Sequence, residues 1–542
     1  MSSEADHGRA SPPNDGEEVV ALRARSYPGL GLPSVGGHRP NSLGKNISAN
    51  LLSNGWSTLL SLVLTPVYVR LLGVESYGLI GFYLSWVAIL GILDMAISAT
   101  ALRELAWLSA RPQERAMMPP LLRTLEVVYW AIVGVLGIGL FASAWLYGPT
   151  WLHSKNLSPE LVRGALMLMS LSLVVQVPSG LYIGGLMGLQ RQVECSALIA
   201  LFGTVRGVGA VLALSEVYPD IRIFFLWQLA ASALQTFVLR WALWTGLRMD
   251  DSRPKFSFKM LQSVKGFAGG MVLITGLSVV MTQADKLILS RVVSLEVFGF
   301  YMLAWTVASG LYRIATPLTL AFGPHFTELV SRGDDQTLAK RVRLASQLMN
   351  VVVLPPAALL VFLSNRILFA WIGDQAVAVA AAPILAITVV GTALSACSYP
   401  ALSILYSKKQ LRPVIAVNVA AVVVLLPLLI VAAIRYGVLA GAVCWGFYGL
   451  TTYIAYQISG LRDIPETQPV LTRLLDFAAP CAASLAVAGI ARYWLGSMEG
   501  RLAFGIVLGF CVVLGWFAAL FVCTDLLTNA LIKLKWKTSP TL

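Results

Sequence analysis

The sequence predicts an all-α polytopic membrane protein with about fourteen transmembrane helices, arranged as a duplicated six-helix unit followed by two further helices. Of the 542 residues, 57% are hydrophobic and only 12% are charged, which is about half the charged fraction of a typical soluble domain. Several apolar runs approach or exceed the roughly 20 residues that cross a bilayer as a helix. A short motif also recurs in the second half of the chain. A large soluble domain is therefore excluded.

The recurring motif lies in the stretch Pro66–Gly78, which links the first two apolar runs. Its pattern, Arg-x4-Glu-x-aromatic-Gly, begins once at Arg70 and again at Arg291. Pro178 and Pro400, both inside apolar runs, have the same spacing to within one position. Two matches at nearly one spacing predict an internal duplication. The paired motif residues are Arg70 with Arg291, Glu75 with Glu296, Tyr77 with Phe298, and Gly78 with Gly299.

Each predicted helix is an apolar segment long enough to span the hydrocarbon core. Charged or turn-forming residues lie between the segments and mark where each one begins and ends. The fourteen predicted spans are 46–66, 77–97, 121–147, 164–188, 196–215, 221–245, 266–285, 297–321, 344–364, 378–404, 414–434, 437–459, 474–495 and 502–526.

Lys and Arg are distributed unequally between the two membrane faces that these spans define. The face with both termini holds 27 of them and the other face holds ten. Because positive residues concentrate on the cytoplasmic side, both termini are predicted to be cytoplasmic. Each six-helix unit has an even number of spans, so the two units are parallel. The net charge of +13 is then explained by topology, and no nucleic-acid partner is expected.

The domain organisation follows from the spans and from composition. The first residues mix Gly, Pro, Ser and both charge signs without periodicity, which is typical of disorder. The predicted parts are a disordered cytosolic tail (1–44), an N-lobe of helices 1–6 (45–246), a cytosolic linker (247–265), a C-lobe of helices 7–12 (266–460), helices 13 and 14 (461–526) and a basic cytosolic tail (527–542).

The sequence has no pattern that indicates an enzyme. It contains no Gly-x4-Gly-Lys-Ser/Thr phosphate-binding loop, and its four histidines form no pair at helical ligand spacing. Six scattered cysteines lack metal-site spacing, so no metal, cofactor or disulfide is expected. The longest predicted outer loop, around His153, is short for a catalytic domain. Movement of a substrate, without its conversion, is therefore predicted.

Ionisable residues within the spans are the main functional candidates. Each costs roughly 2.5–3.5 kcal/mol at a helix centre and therefore faces protein or water. Arg206 lies near the middle of the fifth span, whereas Arg70 and Arg291 lie at the outer ends of the first and seventh helices. For Arg206, a functional role and a buried structural pair both remain open.

An inter-lobe gate is predicted from the duplication. The spacing of the repeated motif places Arg313, in the eighth span, opposite position 92, within one turn of Asp94 in the second span. These helices are equivalent and should face each other, so Asp94 and Arg313 are predicted to pair when the cytoplasmic side is closed. The alternative is that each residue finds a partner within its own lobe.

Four segments together resemble the polysaccharide transporter family, whose members include the O-antigen and capsule flippases of bacterial inner membranes. One departure is Asp94-Met95-Ala96-Ile97, where many family members have Asp-Leu-Gly-Leu. The absent glycine puts the close packing of that helix in doubt. The segments that carry the resemblance are Thr65–Gly73 with Tyr77-Gly78, Ala99–Ala106, Gly188–Gln192 and Asp285–Arg291.

The resemblance implies two six-helix lobes around a central cleft lined by helices 1, 2, 7 and 8, as in the multidrug/oligosaccharidyl-lipid/polysaccharide exporter superfamily. It also implies an undecaprenyl-diphosphate-linked glycan as cargo and location in the inner membrane among membrane lipids. Polysaccharide polymerase and export machinery are candidate partners. O-antigen, capsule and exopolysaccharide pathways all remain open.

The leading hypothesis is therefore a flippase that carries the lipid-linked oligosaccharide to the outer leaflet by alternating access. Four arginines could bind the diphosphate, because one guanidinium group can donate two parallel hydrogen bonds to phosphate oxygens. They are Arg70, Arg206, Arg291 and Arg313. A cation-coupled multidrug exporter and a non-transporting scaffold of an assembly complex are the alternatives. Five aromatic residues could stack on sugars or could belong to the interfacial belt. They are Tyr68, Tyr83, Trp86, Tyr301 and Trp305.

Overall fold

The computed structural model describes residues 40–247, 254–462, 470–495 and 500–523. Most of the predicted N-terminal tail and the whole basic C-terminal tail lie outside this part of the chain. Every regular element within it is a helix, apart from one isolated β-bridge between His153 and Ser294. The predicted all-α polytopic fold is confirmed.

The helices follow one another through short connections. A 3₁₀-helix (Pro112–Met117) precedes the second one. The α-helices are α1 (Pro40–Ser109), α2 (Met118–Trp151), α3 (Pro159–Gln176), α4 (Ser179–Gly188), α5 (Gln192–Glu216), α6 (Ile221–Gly246), α7 (Phe258–Val292), α8 (Leu295–Ala308), α9 (Gly310–Arg332), α10 (Asp335–Phe362), α11 (Ser364–Ile372), α12 (Gln375–Cys397), α13 (Tyr399–Ser407), α14 (Leu411–Tyr436), α15 (Val438–Leu461), α16 (Val470–Leu495) and α17 (Arg501–Val522).

Twelve helical segments of the described chain are long and apolar enough to cross a membrane. The first, Leu52–Ser109, has 58 residues and contains most of the first predicted span and all of the second. The predicted span 266–285 lies within α7, which is not among the twelve. The count of fourteen and the division into lobes therefore stay predictions.

Helix α1 consists of two arms separated at Gly73. The backbone there has φ 80° and ψ 164°, a conformation that is accessible to glycine and strained for other residues. The repeated motif begins just before this point and ends just after it, so the glycine allows one apolar arm to end and the next to begin without a loop.

Two other predicted spans are interrupted, and the interruptions are equivalent. Helix α3 ends at Gln176 and α4 begins at Ser179, whereas α12 ends at Cys397 and α13 begins at Tyr399. Gln176 and Cys397, where the first helix of each interrupted span ends, are separated by the same number of residues as the two copies of the motif. Proline at position 178 or 400 lacks the N–H that would continue the helix.

Helices continue through several other prolines, and each of these frees the carbonyl four residues earlier. A carbonyl at membrane depth needs a new donor, because no water replaces the lost bond. In three cases a side chain from a distant segment donates to it. These cases are Trp371 to Leu62 O (2.8 Å) for Pro66, Trp516 to Val352 O (3.3 Å) for Pro356, and Asn350 to Asp476 O (3.0 Å) for Pro480.

The third of these contacts belongs to a polar cluster that fastens α16 to α10. Arg343 donates through Nε and Nη2 to the two carboxylate oxygens of Asp476, at 2.7 and 3.0 Å. Gln347 Nε2 donates to the same carboxylate at 2.8 Å. The bidentate geometry satisfies both charges in a largely buried position. Helix α16 is thereby attached to the second half of the chain by polar contacts as well as by apolar packing.

We predict that Trp516→Phe lowers the thermal unfolding temperature, because it leaves the carbonyl of Val352 without a donor. An unsatisfied buried carbonyl costs about 1–3 kcal/mol. The loss should shrink in a Pro356→Ala background, because alanine at this position supplies the N–H that proline lacks. Thermal unfolding of the purified protein in detergent measures both effects.

Trp241→Phe is the matched control, since Trp241 is exposed and its indole makes no hydrogen bond among the described residues. Equal loss in the two tryptophan variants, or equal loss with and without Pro356, would contradict the assignment of Trp516 to the freed carbonyl.

Candidate functional site

The two copies of the repeated motif lie against each other at one end of the bundle, which we call the hairpin face. A Cβ atom added to Gly78 would lie 2.5 Å from the carbonyl oxygen of Leu295, and one added to Gly299 would lie 2.4 Å from that of Val74. Each glycine therefore packs on the backbone of the other copy. The two contacts are equivalent, since the glycines and the residues they touch share the spacing of the motif.

The repeated arginines make the next pair of equivalent contacts. Arg70 Nε donates to the carbonyl oxygen of Ile372 at 3.1 Å, and Arg291 Nη1 donates to that of Thr150 at 2.6 Å. Both acceptors lie in the last turn of a helix, where carbonyls have no intrahelical donor and the helix dipole is negative. Each arginine thus caps a helix that belongs to the other half of the chain.

Two tryptophans adjacent in sequence to those acceptors donate hydrogen bonds to the half that contains the arginine. Trp371 Nε1 donates to the carbonyl of Leu62, and Trp151 Nε1 donates to Ser290 Oγ at 3.2 Å. We call the two arginines and two tryptophans, together with their acceptors, the clasp. Its contacts run both ways between the halves, so it joins them at the hairpin face.

The connection between α2 and α3 also takes part in this closure. The buried carboxylate of Glu75 accepts from the backbone N–H of Lys155 at 2.5 Å and from that of Asn156 at 3.1 Å. The N–H of Leu295 donates to the carbonyl of His153 at 2.9 Å. One loop is therefore bound to both copies of the motif.

Asp94 and Arg313 do not pair in this structure. Tyr129 donates its hydroxyl to Asp94 Oδ1 at 3.2 Å, and Arg313 Nη1 donates to Thr58 Oγ1 at 2.8 Å. Asp94 thus has a partner in its own half, whereas Arg313 bonds across to the first arm of α1. Pairing of Asp94 with Arg313 stays a prediction for a conformation closed at the opposite face.

The second arm of α1 packs closely on α4 even though Ala96 replaces the glycine typical of the family. The close approach comes from glycines of α4 at positions 180, 184 and 188, one helical turn apart. Cβ atoms added to Gly184 and Gly188 would lie 2.3 and 2.7 Å from carbonyl oxygens of the arm. Small residues at this spacing allow helices to approach in membranes. Glycines of α4 therefore provide the close helix packing that the absence of a glycine at position 96 had put in doubt.

Arg206 lies inside the N-terminal half. Its Nη2 donates to Gln235 Oε1, and its Nε is enclosed without a hydrogen-bond partner. Among the described residues no carboxylate pairs with it. Arg313, by contrast, has an exposed side chain. The two arginines predicted to meet a diphosphate at membrane depth thus occupy different environments.

The five aromatic candidates have different accessibility. Tyr83 and Tyr301 are only 4% and 0% exposed, so their rings offer no open face here. Tyr68 donates to the carbonyl of Gly207 at 2.8 Å, and Trp86 packs edge-on against Phe82. One face of Trp305 is covered as well, as described next. Sugar stacking by these residues stays a prediction.

A buried ion pair between Asp285 and Lys286 covers one face of the Trp305 ring. Lys286 is 1% exposed, and its Nζ lies 2.9 Å from Asp285 Oδ2, 2.8 Å from the carbonyl of Thr282 and 3.5 Å from the ring centroid of Trp305. Tyr301 donates to the same carboxylate at 2.5 Å. Two adjacent opposite charges in an apolar run were the available sequence signal. The aromatic neighbours could not be inferred from it.

A tyrosine pair that includes the residue preceding Arg313 was missed by the sequence reasoning. Tyr312 stacks on Tyr399 with ring centroids 5.9 Å apart and an interplanar angle of 15°. The two rings come from α9 and α13, which are distant in sequence, so no local pattern marks them. Among the described residues, no group of three His, Cys, Asp or Glu side chains could hold a metal.

Comparison with known proteins places this geometry in context. Residues 43–330, more than half of the chain, match the model of the family described as "Polysaccharide biosynthesis protein". The chain is 23% identical over 341 residues to the uncharacterized membrane protein EpsK of Bacillus subtilis (strain 168), covering 61% of this chain and 65% of EpsK, which is less than two thirds of that relative. It is 20% identical over 418 residues to the putative O-antigen transporter of Shigella flexneri, covering 74% of this chain and 94% of that protein.

Solved structures share the fold. The lipid II flippase MurJ in an inward closed conformation has a TM-score of 0.66 and 13% identity, with 90% of this chain and 99% of that chain covered. A MATE family multidrug resistance transporter of the MOP superfamily, facing inward, has a TM-score of 0.61 and 12% identity, with 75% and 93% covered. The resemblance inferred from the motifs is therefore confirmed, and the chain belongs to the polysaccharide biosynthesis protein family.

Proposed function

We propose that this protein is a flippase that moves a polyprenyl-diphosphate-linked oligosaccharide from the cytoplasmic to the outer leaflet. Family membership and the fold shared with a lipid II flippase support the proposal. The observation that carries it is Arg313, an exposed guanidinium within an apolar helix. No acidic partner for it is found in the described part of the chain. Such a group is suited to a diphosphate, and no catalytic constellation accompanies it there.

Arg313 is the proposed diphosphate ligand. Among the described residues, its guanidinium makes one hydrogen bond, from Nη1 to Thr58, and a guanidinium has five N–H donors. Bidentate binding of phosphate oxygens is therefore compatible with its surroundings.

The clasp is the proposed gate at the hairpin face, which the charge distribution predicts to be the outer one. Opening that face requires the arginines and tryptophans to leave their acceptors in the opposite half. Asp94 and Arg313 would then pair at the other face. Binding of a diphosphate to Arg313 would compete with that pair and so favour the opposite state, which couples cargo to rocking of the two halves.

A cation-coupled multidrug exporter is the second candidate, favoured by the fold shared with a MATE transporter. Such a protein would use accessible carboxylates. Here the Asp285 carboxylate is occupied by Lys286 and Tyr301, and that of Asp94 by Tyr129. These contacts favour the flippase.

We predict that Arg70→Ala and Arg291→Ala both weaken closure of the hairpin face, since each residue donates a hydrogen bond to the last turn of a helix in the other half. Loss of one charge-assisted hydrogen bond at an exposed site should cost about 1 kcal/mol, a roughly fivefold shift toward the open state. Labelling of a single cysteine at position 58 by a membrane-impermeant maleimide applied from outside measures this shift.

Arg222→Ala is the matched control, because Arg222 lies on the same face but its ion pair is with Asp220, two positions away. The double variant should be labelled more than either single one. Unchanged labelling in both clasp variants would show that these arginines do not hold the face closed.

The membrane potential is predicted to drive transport. A diphosphate diester carries about two negative charges, and moving them outward across an inside-negative membrane releases about 2.3 kcal/mol per charge per 100 mV. Flipping in reconstituted vesicles should therefore fall when the potential is collapsed. Flipping that depends on a proton or sodium gradient and ignores the potential would replace this account with ion coupling.

The proposed Asp94–Arg313 gate has its own test. Asp94→Arg or Arg313→Asp alone should abolish transport, because removing one partner of a buried pair costs about 3–5 kcal/mol. The combined swap should restore the outward-open population that either single variant loses, and cysteines at 94 and 313 should crosslink in that population. Transport itself should stay low in the swap, because it removes the proposed diphosphate ligand. Thr58→Val is the control, since it frees Arg313 from the bond seen here without changing any charge. Failure of both rescue and crosslinking would remove the gate.

A further inference from the structure

Polar side chains of α1, α3, α5 and α6 lie inside the N-terminal half, and Arg206 of α5 is among them. The hydroxyl of Tyr83, on α1, donates to Gln176 of α3 and lies 3.4 Å from Ser172 Oγ. Except for the guanidinium, every group in the cluster is neutral. The half-buried guanidinium therefore has only neutral hydrogen-bonding partners among the described residues, and its Nε is enclosed.

One face of α6 extends along this arginine. Gln228, Ser232 and Gln235 are four and three positions apart, so they lie on the same side of the helix. Gln228 Nε2 donates to the main-chain carbonyl of Arg206 at 3.5 Å, and Arg206 Nη2 donates to Gln235 Oε1. The arginine side chain therefore runs along α6 from Gln228 to Gln235 and passes Ser232 on the way.

Three polar atoms along this path have no partner among the described residues. They are Arg206 Nε, Ser232 Oγ and Gln228 Oε1. Ser232 is 0% exposed and Gln228 is 4% exposed. Buried polar groups are normally hydrogen-bonded, and a buried charge without a counter-charge is costly. Two of the three atoms, the guanidinium Nε and the serine hydroxyl, are donors without an acceptor.

We propose that Arg206 and Ser232 form a binding site for a small inorganic anion, such as chloride, with Gln235 holding the guanidinium in place. The anion accepts from Arg206 Nε and from the Ser232 hydroxyl and balances the charge. A water molecule bound beside it donates to Gln228 Oε1. The absence of a carboxylate partner for Arg206 in the described chain selects an anion over a cation.

The site is too enclosed for the proposed cargo. Ser232 and Arg206 Nε are buried, so a diphosphate that carries a sugar chain and a lipid cannot reach both. Arg313, which is exposed, remains the proposed ligand for that group. The anion site therefore does not depend on which substrate the protein carries, and its loss is distinguishable from loss of cargo binding.

Binding of ³⁶Cl⁻ to the purified protein in detergent tests the proposal. Wild-type protein in gluconate buffer should bind about one chloride, and bromide should compete with it. Chloride should also raise the thermal unfolding temperature above that in gluconate at equal ionic strength. Arg206→Gln should lose both effects, Ser232→Ala should weaken binding severalfold, and Arg222→Gln should retain both.

Absence of saturable chloride binding to folded wild-type protein would overturn the proposal and indicate that water alone fills the cluster. Retained binding in Arg206→Gln would place the anion elsewhere and overturn it as well. If Arg206→Gln does not fold, the wild-type measurement and Ser232→Ala still decide. Displacement of chloride by inorganic diphosphate as effectively as by bromide would identify Arg206 as a cargo ligand and overturn the separation of the two sites.

Discussion

The satisfaction of backbone carbonyls away from water is the constraint on which most of this structure depends. Proline inside a membrane helix and the end of a helix both leave carbonyls without intrahelical donors. In this protein, side chains from distant segments supply the missing donors. Trp371 serves a carbonyl freed by Pro66, and Arg70 and Arg291 serve carbonyls at helix ends. Contacts that relieve a local defect thereby become the contacts that join the two halves.

The duplication gives these contacts their reciprocity. Each half offers an arginine and a tryptophan, and each offers a helix end to the arginine of the other half. The arginine contacts are equivalent in position, whereas the tryptophans differ in acceptor, which is a backbone carbonyl for Trp371 and a serine hydroxyl for Trp151. A hairpin face held by contacts in both directions is well suited to the two-state rocking proposed here. The helix breaks at Pro178 and Pro400 are separated by the spacing of the motif to within one position.

Charges at membrane depth separate into three groups with different consequences. The Asp285–Lys286 pair is neutralised within the core and stabilises one arrangement of α7 and α8. Arg313 is exposed, so its guanidinium is available to pair with a phosphate. Arg206 has only neutral partners among the described residues and is the proposed anion site. One residue type thus fills two roles, and burial together with the surrounding partners decides between them.

The sequence by itself determined the all-α membrane fold, the repeated motif with its constant spacing, and the family. These are properties of composition and local pattern.

Only the tertiary structure decided which side chains donate to the carbonyls freed by prolines, that Arg70 and Arg291 cap helices across the halves, and that Arg206 and Arg313 differ in exposure. It also showed glycines of α4 replacing the glycine absent near Asp94. The physical reason is that such contacts join residues far apart in the chain, where no periodicity relates one partner to the other.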